Sequence, residues 1–464
     1  MARLLKHVFL LGLALPAGLL GYHMFAGWQA GNGNAATRAL SDAVSGLTLG
    51  HGYDLSDLKL LQRDLWYVET RYVEKERIDP ENMFQGALEF VEREVPEVNF
   101  QREPRGSRLH VEVGSYTTVL LLEPITSFVA LTSQLRRVAA ILEDHLSNEV
   151  ALPEVEYAFI NGALSTLDPH TVLIPPEAAR EMEVDNQGEF GGLGIEITTR
   201  NGRLTVKQPL EGTPAAMAGL QSDDHIVRIE EESTINMDLS DAVSKLRGPV
   251  GAPVTIKIMR TGFDAPREFT IIRDRIRINP VEGELLEGDI GYVRIKNFHA
   301  NVSSDLDALL ARLARESGGK PRGLVLDLRA NPGGYLNQAV DVSNKFLSRG
   351  VIVTTVEGGT GKRQEQKATS AGTEFAYPIA VLVNGSSASA SEIVAGALRN
   401  QHRAIIVGER TFGKGSVQHL YANNDESRLK LTVAKYLTPG DQSIQSVGIS
   451  PDILLQPSVI LKAD

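Results

Sequence analysis

Cysteine is absent from the 464 residues. That one absence removes disulfides, thiolate metal sites, a cysteine nucleophile and lipid attachment at an amino-terminal cysteine. Long basic runs are missing too, and the formal net charge is -11. Affinity for nucleic acid rests on clustered Lys and Arg neutralising phosphates, so nucleic acid is excluded as a partner. No HExxH segment occurs, which removes the usual helical zinc site, and no GNSGG segment marks a trypsin-like serine. No metal and no cofactor is expected. Tandem repeats and low-complexity tracts are likewise missing. An apolar content of 42% and a charged content of 23% suit a soluble globular chain, neither disordered nor polytopic. The length exceeds what one hydrophobic core supports and predicts two or three.

Arg3 and Lys6 precede an apolar run from Val8 to Tyr22, and a weaker apolar stretch continues to Trp28. A basic flank before such a run is the export pattern. Two readings follow: a cleaved signal with Ala26 or Ala30 near the cut, or an uncleaved anchor in contact with the membrane. Either places the rest of the chain outside the cytoplasm, in the periplasm or anchored to the inner membrane and facing it. Residues 1–30 are therefore assigned to signal or anchor, and the Gly-, Ala-, Ser- and Asn-rich residues 31–56 to a linker. Residues 57–187 form an N-terminal helical region. Within it, Leu58, Leu61, Leu65, Val68, Tyr72 and Val73 recur at helical spacing, and Ser127–Leu146 and Pro153–Leu167 read as helices. Leu109–Leu122, rich in Val, Thr and Leu, reads as a strand or hairpin. After Gly188 the texture becomes short β-type runs punctuated by Gly and Pro, with a helical piece at Asp238–Leu246. From Gly291 strands and helices alternate, which predicts a layered α/β domain over 278–464.

Within that domain, Ile379–Asn400 runs from an apolar strand through a Gly/Ser turn into a helix. A serine at such a turn stands at the positive end of a helix beside free amides, the geometry of an oxyanion hole. Helix capping by Ser with Glu392 closing a capping box is the rival explanation of the same pattern. Ala404–Gln418 is a second strand followed by a Gly-rich loop carrying Lys414, and Gly413 and Gly415 allow close backbone approach. A lysine acts as a base only when neutral. Its ordinary pKa of about 10.4 must fall by roughly two to three units, which burial in a packed cleft can supply. Gln418, four residues on, is placed to orient the amine.

These segments resemble the carboxyl-terminal processing peptidases, the family of bacterial tail-specific proteases. The SASASE-like and TFGKG segments align with Ser387–Glu392 and Thr411–Gly415, and a DLRxNPGG segment stands at Asp327–Gly334. LDPHT at Leu167–Thr171, EFGGLGIEI at Glu189–Ile197 and the segment Tyr436–Ile453 also match. The resemblance spans about residues 154–457. It implies a crotonase-like layered α/β serine protease core with an inserted PDZ domain over 188–277, and a serine endopeptidase. By the same resemblance Ser389 is the nucleophile, Lys414 the general base and Gln418 its assistant. The amides of Gly334 and Ala390 form the oxyanion hole, with Gly333 the fallback. Ser387 and Ser391 are the alternative nucleophiles. Where the family usually has Arg before Ser-Ile-Gln, this chain has Gln442. The stretch between Tyr72 and Leu167 is longer than the family's helical link, and a partner-binding or oligomerising role is its expectation.

In the PDZ-like segment, glycines around Leu193 let consecutive amides face a peptide's terminal carboxylate, and the adjoining strand offers an edge for β-augmentation. Gly192, Leu193, Gly194, Ile195, Val243 and Leu246, with Ile197, are the expected peptide-binding residues. The expected partners are protein or peptide substrates with apolar carboxyl termini, drawn from envelope proteins. An adaptor protein and a homo-oligomeric assembly complete the expectations. A non-catalytic PDZ scaffold is the competing class; it would need Gly192–Ile197 but neither Ser389 nor Lys414, and both are present.

Overall fold

The computed structural model describes residues 53–103, 107–374 and 377–455. The export segment and nearly all of the linker lie outside the described residues. None of the described helices is long and apolar enough to cross a membrane.

The N-terminal region gathers helices Lys59–Arg71, Pro80–Glu94, Phe128–His145 and Leu152–Ser165 around Leu65, Phe84, Leu135 and Phe159. Leu55, at the end of the segment read as linker, is fully buried in this core. The helical pattern that begins at Leu58 is not continued in one helix, because Asp79 caps a new one through the Glu81 and Asn82 amides and Pro80 occupies its first turn. Helices Pro80–Glu94 and Leu152–Ser165 touch backbone to backbone at Gly86 and Gly162, where a Cβ on either would overlap the other's carbonyl. The Val- and Thr-rich stretch is a hairpin, Arg108–Val113 with Tyr116–Leu121, extended by Val98–Arg102 to a three-stranded antiparallel sheet. Leu109, Val111 and Val113 alternate onto its buried face.

Residues 189–277 enter and leave through a two-stranded antiparallel stem, Glu189–Gly192 paired with Asp274–Arg277. Above the stem stands a separate sheet in the order Arg267–Ile272, Pro253–Met259, His225–Ile229, Arg203–Pro209, Ile195–Arg200, with its own apolar core under the helix Leu239–Leu246. Ile195–Arg200 forms its edge.

The α/β domain contains two sheets. The first runs Val281–Leu286, Ile290–Ile295, Gly323–Asp327, Ile379–Val383, Ile405–Gly408, Ile453–Leu454, parallel after the first antiparallel pair. Helices Val302–Glu316, Leu336–Asn344 and Ala390–Asn400 contribute to one shared apolar core with it. The second is antiparallel, in the order Arg363–Lys367, Val351–Glu357, Arg428–Thr438, Ser416–Ala422, and Val172–Ile174 also joins Arg428–Thr438. Thus the LDPHT segment, far upstream in the chain, is fixed to the second sheet. Gly323–Asp327 and Ile379–Val383 are neighbours, with Asp327 opposite Leu382, so the loops leaving their carboxyl ends emerge side by side.

Candidate active site

Both of those loops carry the predicted chemistry, and backbone hydrogen bonds weld them together. The amide of Ala388 donates to the Asn331 carbonyl at 3.0 Å, and the Ser391 hydroxyl donates to the same carbonyl at 3.0 Å. Ser387 Oγ accepts from the Asn384 amide at 3.0 Å and donates to the Leu328 carbonyl at 2.8 Å. Ser387 and Ser391 are fully buried and committed to these bonds, whereas Ser389 between them is half-buried. Of the three candidate nucleophiles, only Ser389 has its side chain outside this brace; it caps the helix Ala390–Asn400 in the capping box with Glu392 that its sequence spacing predicts. Its backbone has φ 54° and ψ −114°, a conformation L residues seldom adopt. The Asp327 carboxylate stiffens the neighbouring loop by pairing with Arg329 and accepting from Tyr292 Oη at 2.7 Å. Burial would raise its pKa, but the Arg329 hydrogen bonds outweigh burial and hold it below the usual carboxylate range.

Gly333 and Gly334 lie against the serine turn. A Cβ on Gly333 would sit 2.8 Å from the Ala388 carbonyl and from Ser389 Cβ, and the residue has φ 103°. Gly334, with φ 147°, is pressed onto the Phe298 carbonyl. The Gly333 amide is taken by Asn331 Oδ1 at 2.9 Å. By contrast, the Gly334 and Ala390 amides donate to no protein acceptor among the described residues. Two free amides beside one serine are what an oxyanion hole requires.

Glu392 joins this unit to the lysine loop. Fully buried, it accepts four hydrogen bonds: Thr411 Oγ1 at 2.6 Å and the Gly413 amide at 2.7 Å on Oε1, the Ser389 and Lys414 amides at 2.8 Å each on Oε2. Four donors meet the demand of a buried carboxylate. Because one oxygen takes the amides of both Ser389 and Lys414, those two backbones stand no further apart than two hydrogen bonds. The loop is held from its other side by Gln445, whose Oε1 accepts from the Gly415 amide at 2.9 Å, and by the Ser446 amide on the Gly413 carbonyl at 2.7 Å. The Tyr436 hydroxyl donates to the Lys414 carbonyl.

The Lys414 amine is half-buried, and burial first, then the charge of Lys430, pushes its pKa below the ordinary lysine value; Asp168 and Glu392 pull the other way. Gln418 Nε2 donates to Ser416 Oγ at 2.9 Å and to Thr432 Oγ1 at 3.5 Å. His170, within the LDPHT segment, stands beside the lysine: burial and then Lys414 depress its pKa. Gln442, at the position where the family usually has Arg, forms no ion pair and accepts from Asn400 Nδ2 at 3.5 Å.

The six residues expected to bind a peptide end come together with Phe190, Ile197 and Arg247 around one small pocket of about 90 Å³. A larger cavity, about 1070 Å³, lies at the opposite, amino-terminal edge of the parallel sheet and is lined by none of the predicted site residues. Chemistry, not size, therefore picks out the active site. Sequence reasoning missed Glu392 as a junction, because its Ser-x-x-Glu spacing is equally that of a simple helix cap. It also left Asp168 without a role, although its motif was visible.

A layered α/β core with a turn-borne serine, two open amides and a half-buried lysine, carrying a small β domain on a stem, defines a serine peptidase. Residues 289–455 match the model of Peptidase family S41, and residues 181–259 that of the PDZ domain. The chain is 42% identical over 332 residues to a carboxy-terminal-processing protease of Bartonella bacilliformis, covering 70% of this chain and 75% of that one. It is 36% identical over 331 residues to a carboxyl-terminal-processing protease of Synechocystis, covering 69% and 76%. A solved photosystem II D1 C-terminal processing protease is 27% identical with a TM-score of 0.46, covering 88% of this chain and 95% of that one. The chain belongs to the carboxyl-terminal processing proteases of family S41, serine proteases with a PDZ domain.

Proposed function

We propose that Ser389 and Lys414 are a catalytic dyad cleaving proteins selected by their carboxyl ends. The carrying observation is that Ser389 and Lys414 hang from the same Glu392 oxygen while both flanking serines are engaged elsewhere. In this reading the neutral Lys414 amine takes the Ser389 proton as Oγ attacks the scissile carbonyl. The developing oxyanion is received by the Gly334 and Ala390 amides, and Lys414 returns the proton to the leaving amine. Water then enters by the same base to release the acyl-enzyme. Gln418 keeps the amine in place from its seat on Ser416 and Thr432. The pocket of Leu193, Ile195, Val243 and Leu246 takes an apolar last side chain, and the Leu193 and Gly194 amides face its carboxylate. Arg3, Lys6 and the apolar run to Tyr22 support export, so the substrates are periplasmic or envelope proteins.

The test compares degradation of an unfolded protein with an apolar tail by wild type, Ser389→Ala and Lys414→Ala. Proteolysis is lost in both variants; survival in either discards the dyad. Replacing the substrate's last residue by Asp raises KM if the pocket selects tails, and leaves it unchanged if it does not.

A further inference from the structure

One polar cluster next to the lysine has no part in the chemistry above. Asp168 Oδ1 accepts from the His170 amide at 2.8 Å, the Thr171 amide at 3.1 Å and Thr432 Oγ1 at 3.2 Å, and Oδ2 accepts from Thr171 Oγ1 at 2.7 Å. Thr432 is also the residue reached by the Gln418 amide. In register, Thr432 stands between Gln418 of strand Ser416–Ala422 and Thr171, whose hydroxyl accepts from its amide at 3.2 Å. Asp168 therefore anchors, through one threonine hydroxyl, the side chain assigned to assist the base. Lys430 lies two residues before Thr432 in the same strand, so both point to the same side of it.

We propose that Asp168 and Lys430 are positioning residues of the general base: Asp168 fixes Gln418 through Thr432, and Lys430, on the same side of the strand as Thr432, borders the same cluster. The inference rests on the dyad assignment. Charged and titratable neighbours come from every side: Lys430 from the second sheet, Asp168 and His170 from the segment before Val172–Ile174, and Glu392 from the serine helix. Tyr436 reaches the Lys414 carbonyl, and the buried Tyr72 hydroxyl is held protonated by burial and then by Asp168. Asp168 and Glu392 favour the ammonium and Lys430 opposes it, so the two proposed residues act in opposite directions. Near neutral pH, His170 is kept uncharged by burial and by Lys414, and it adds no third charge.

The experiment measures kcat/KM from pH 5 to 10 for the full chain on a fluorescently labelled unfolded polypeptide with an apolar tail. Removing the cationic neighbour in Lys430→Gln makes the Lys414 ammonium easier to keep, so the acid limb moves to higher pH. Removing the anion in Asp168→Asn moves it to lower pH; each shift is on the order of half a pH unit. Thr432→Val leaves the limb in place and lowers kcat more than it raises KM. A limb that stays put in both charge variants, or moves the same way in both, overturns the proposal. If Asp168→Asn does not fold, the direction of the Lys430→Gln shift decides. Full activity of Lys414→Ala would instead remove the dyad itself, a separate outcome.

Discussion

Exchanging Glu392 for Gln keeps the size of the side chain and replaces one acceptor oxygen by an amide that can only donate. Each oxygen of Glu392 now faces two donors. Whichever way the Gln is turned, one pair of donors meets an NH₂ group. Turned toward Thr411, the hydroxyl can rotate to accept, leaving the Gly413 amide orphaned; turned the other way, the Ser389 and Lys414 amides are both orphaned. An orphaned buried donor costs about 1–3 kcal/mol, so the first orientation wins and the loss of stability is of that order. The remaining oxygen still holds Ser389 and Lys414, but the lysine loop loses its Gly413 clamp, and kcat falls by about tenfold or more. Glu392→Ala removes all four acceptor contacts and lowers both quantities further. Thermal melting and steady-state proteolysis, run on the same preparations, separate the two effects. Unchanged melting and unchanged kcat in Glu392→Gln would refute the idea that this carboxylate joins the two halves of the site.

Gly333→Ala forces a Cβ to within 2.8 Å of Ser389 Cβ at a φ of 103°, so kcat falls about 10²-fold or more while circular dichroism stays native; wild-type turnover would show that the glycine is dispensable. Ser387→Ala breaks the bond to the Leu328 carbonyl and costs about 1 kcal/mol in urea unfolding, yet leaves a serine at 389 and retains activity within about tenfold, in contrast to Ser389→Ala. Asp64 is fully buried, and burial pushes its pKa up to about 7 against the opposing Asn423 hydrogen bond and Arg63 charge. With the folded value above the unfolded one, the native state holds the extra proton between about pH 4 and 7, so stability declines as pH rises through that window. Asp64→Asn abolishes that decline, visible as melting temperatures at pH 5 and 8 that differ less than in wild type; an equal difference in both proteins would contradict the raised value.

Much of the core was legible because it is made of locally complete signals. Buried parallel strands such as Ile379–Val383 read as short apolar runs, and the helices between them carry their own periodicity and turn residues. The second sheet was not legible. Its outer strand, Arg363–Lys367, is Arg-Gln-Glu-Gln-Lys and largely exposed, so no alternation of apolar residues announces it. The long strand Arg428–Thr438 carries a register shift opposite Val417 and Gln418, which interrupts its alternation as well. Site residues divide the same way. Ser389 and Lys414 sit in recognisable turns, but Asp168 acquires meaning only through Thr432, 264 residues away, and Glu392 only through a loop about twenty residues on. Partners supplied by tertiary structure leave no local trace.

Strain argues for which class this chain belongs to independently of motif matching. Ser389 holds φ 54°, Gly333 φ 103° and Gly413 φ 91°, in a cluster where added methyl groups would collide with backbone. A non-glycine residue in such a conformation costs on the order of 1–3 kcal/mol, and persists only where its surroundings over-determine it. Here they do: Asn331, Asn384, Ser387, Ser391 and Glu392 direct hydrogen bonds onto two loops, and beside Ser389 the Gly334 and Ala390 amides are left without a protein acceptor among the described residues. A scaffold that only displayed a PDZ domain would gain nothing from that arrangement, since the peptide pocket is built from a different core. Ser389 and Glu392 form the capping box of the helix Ala390–Asn400, and Ser389 holds its strained conformation even so. Capping alone does not ask for a positive φ at that serine, since an ordinary N-cap residue is extended, whereas two open amides beside it are what acyl transfer uses.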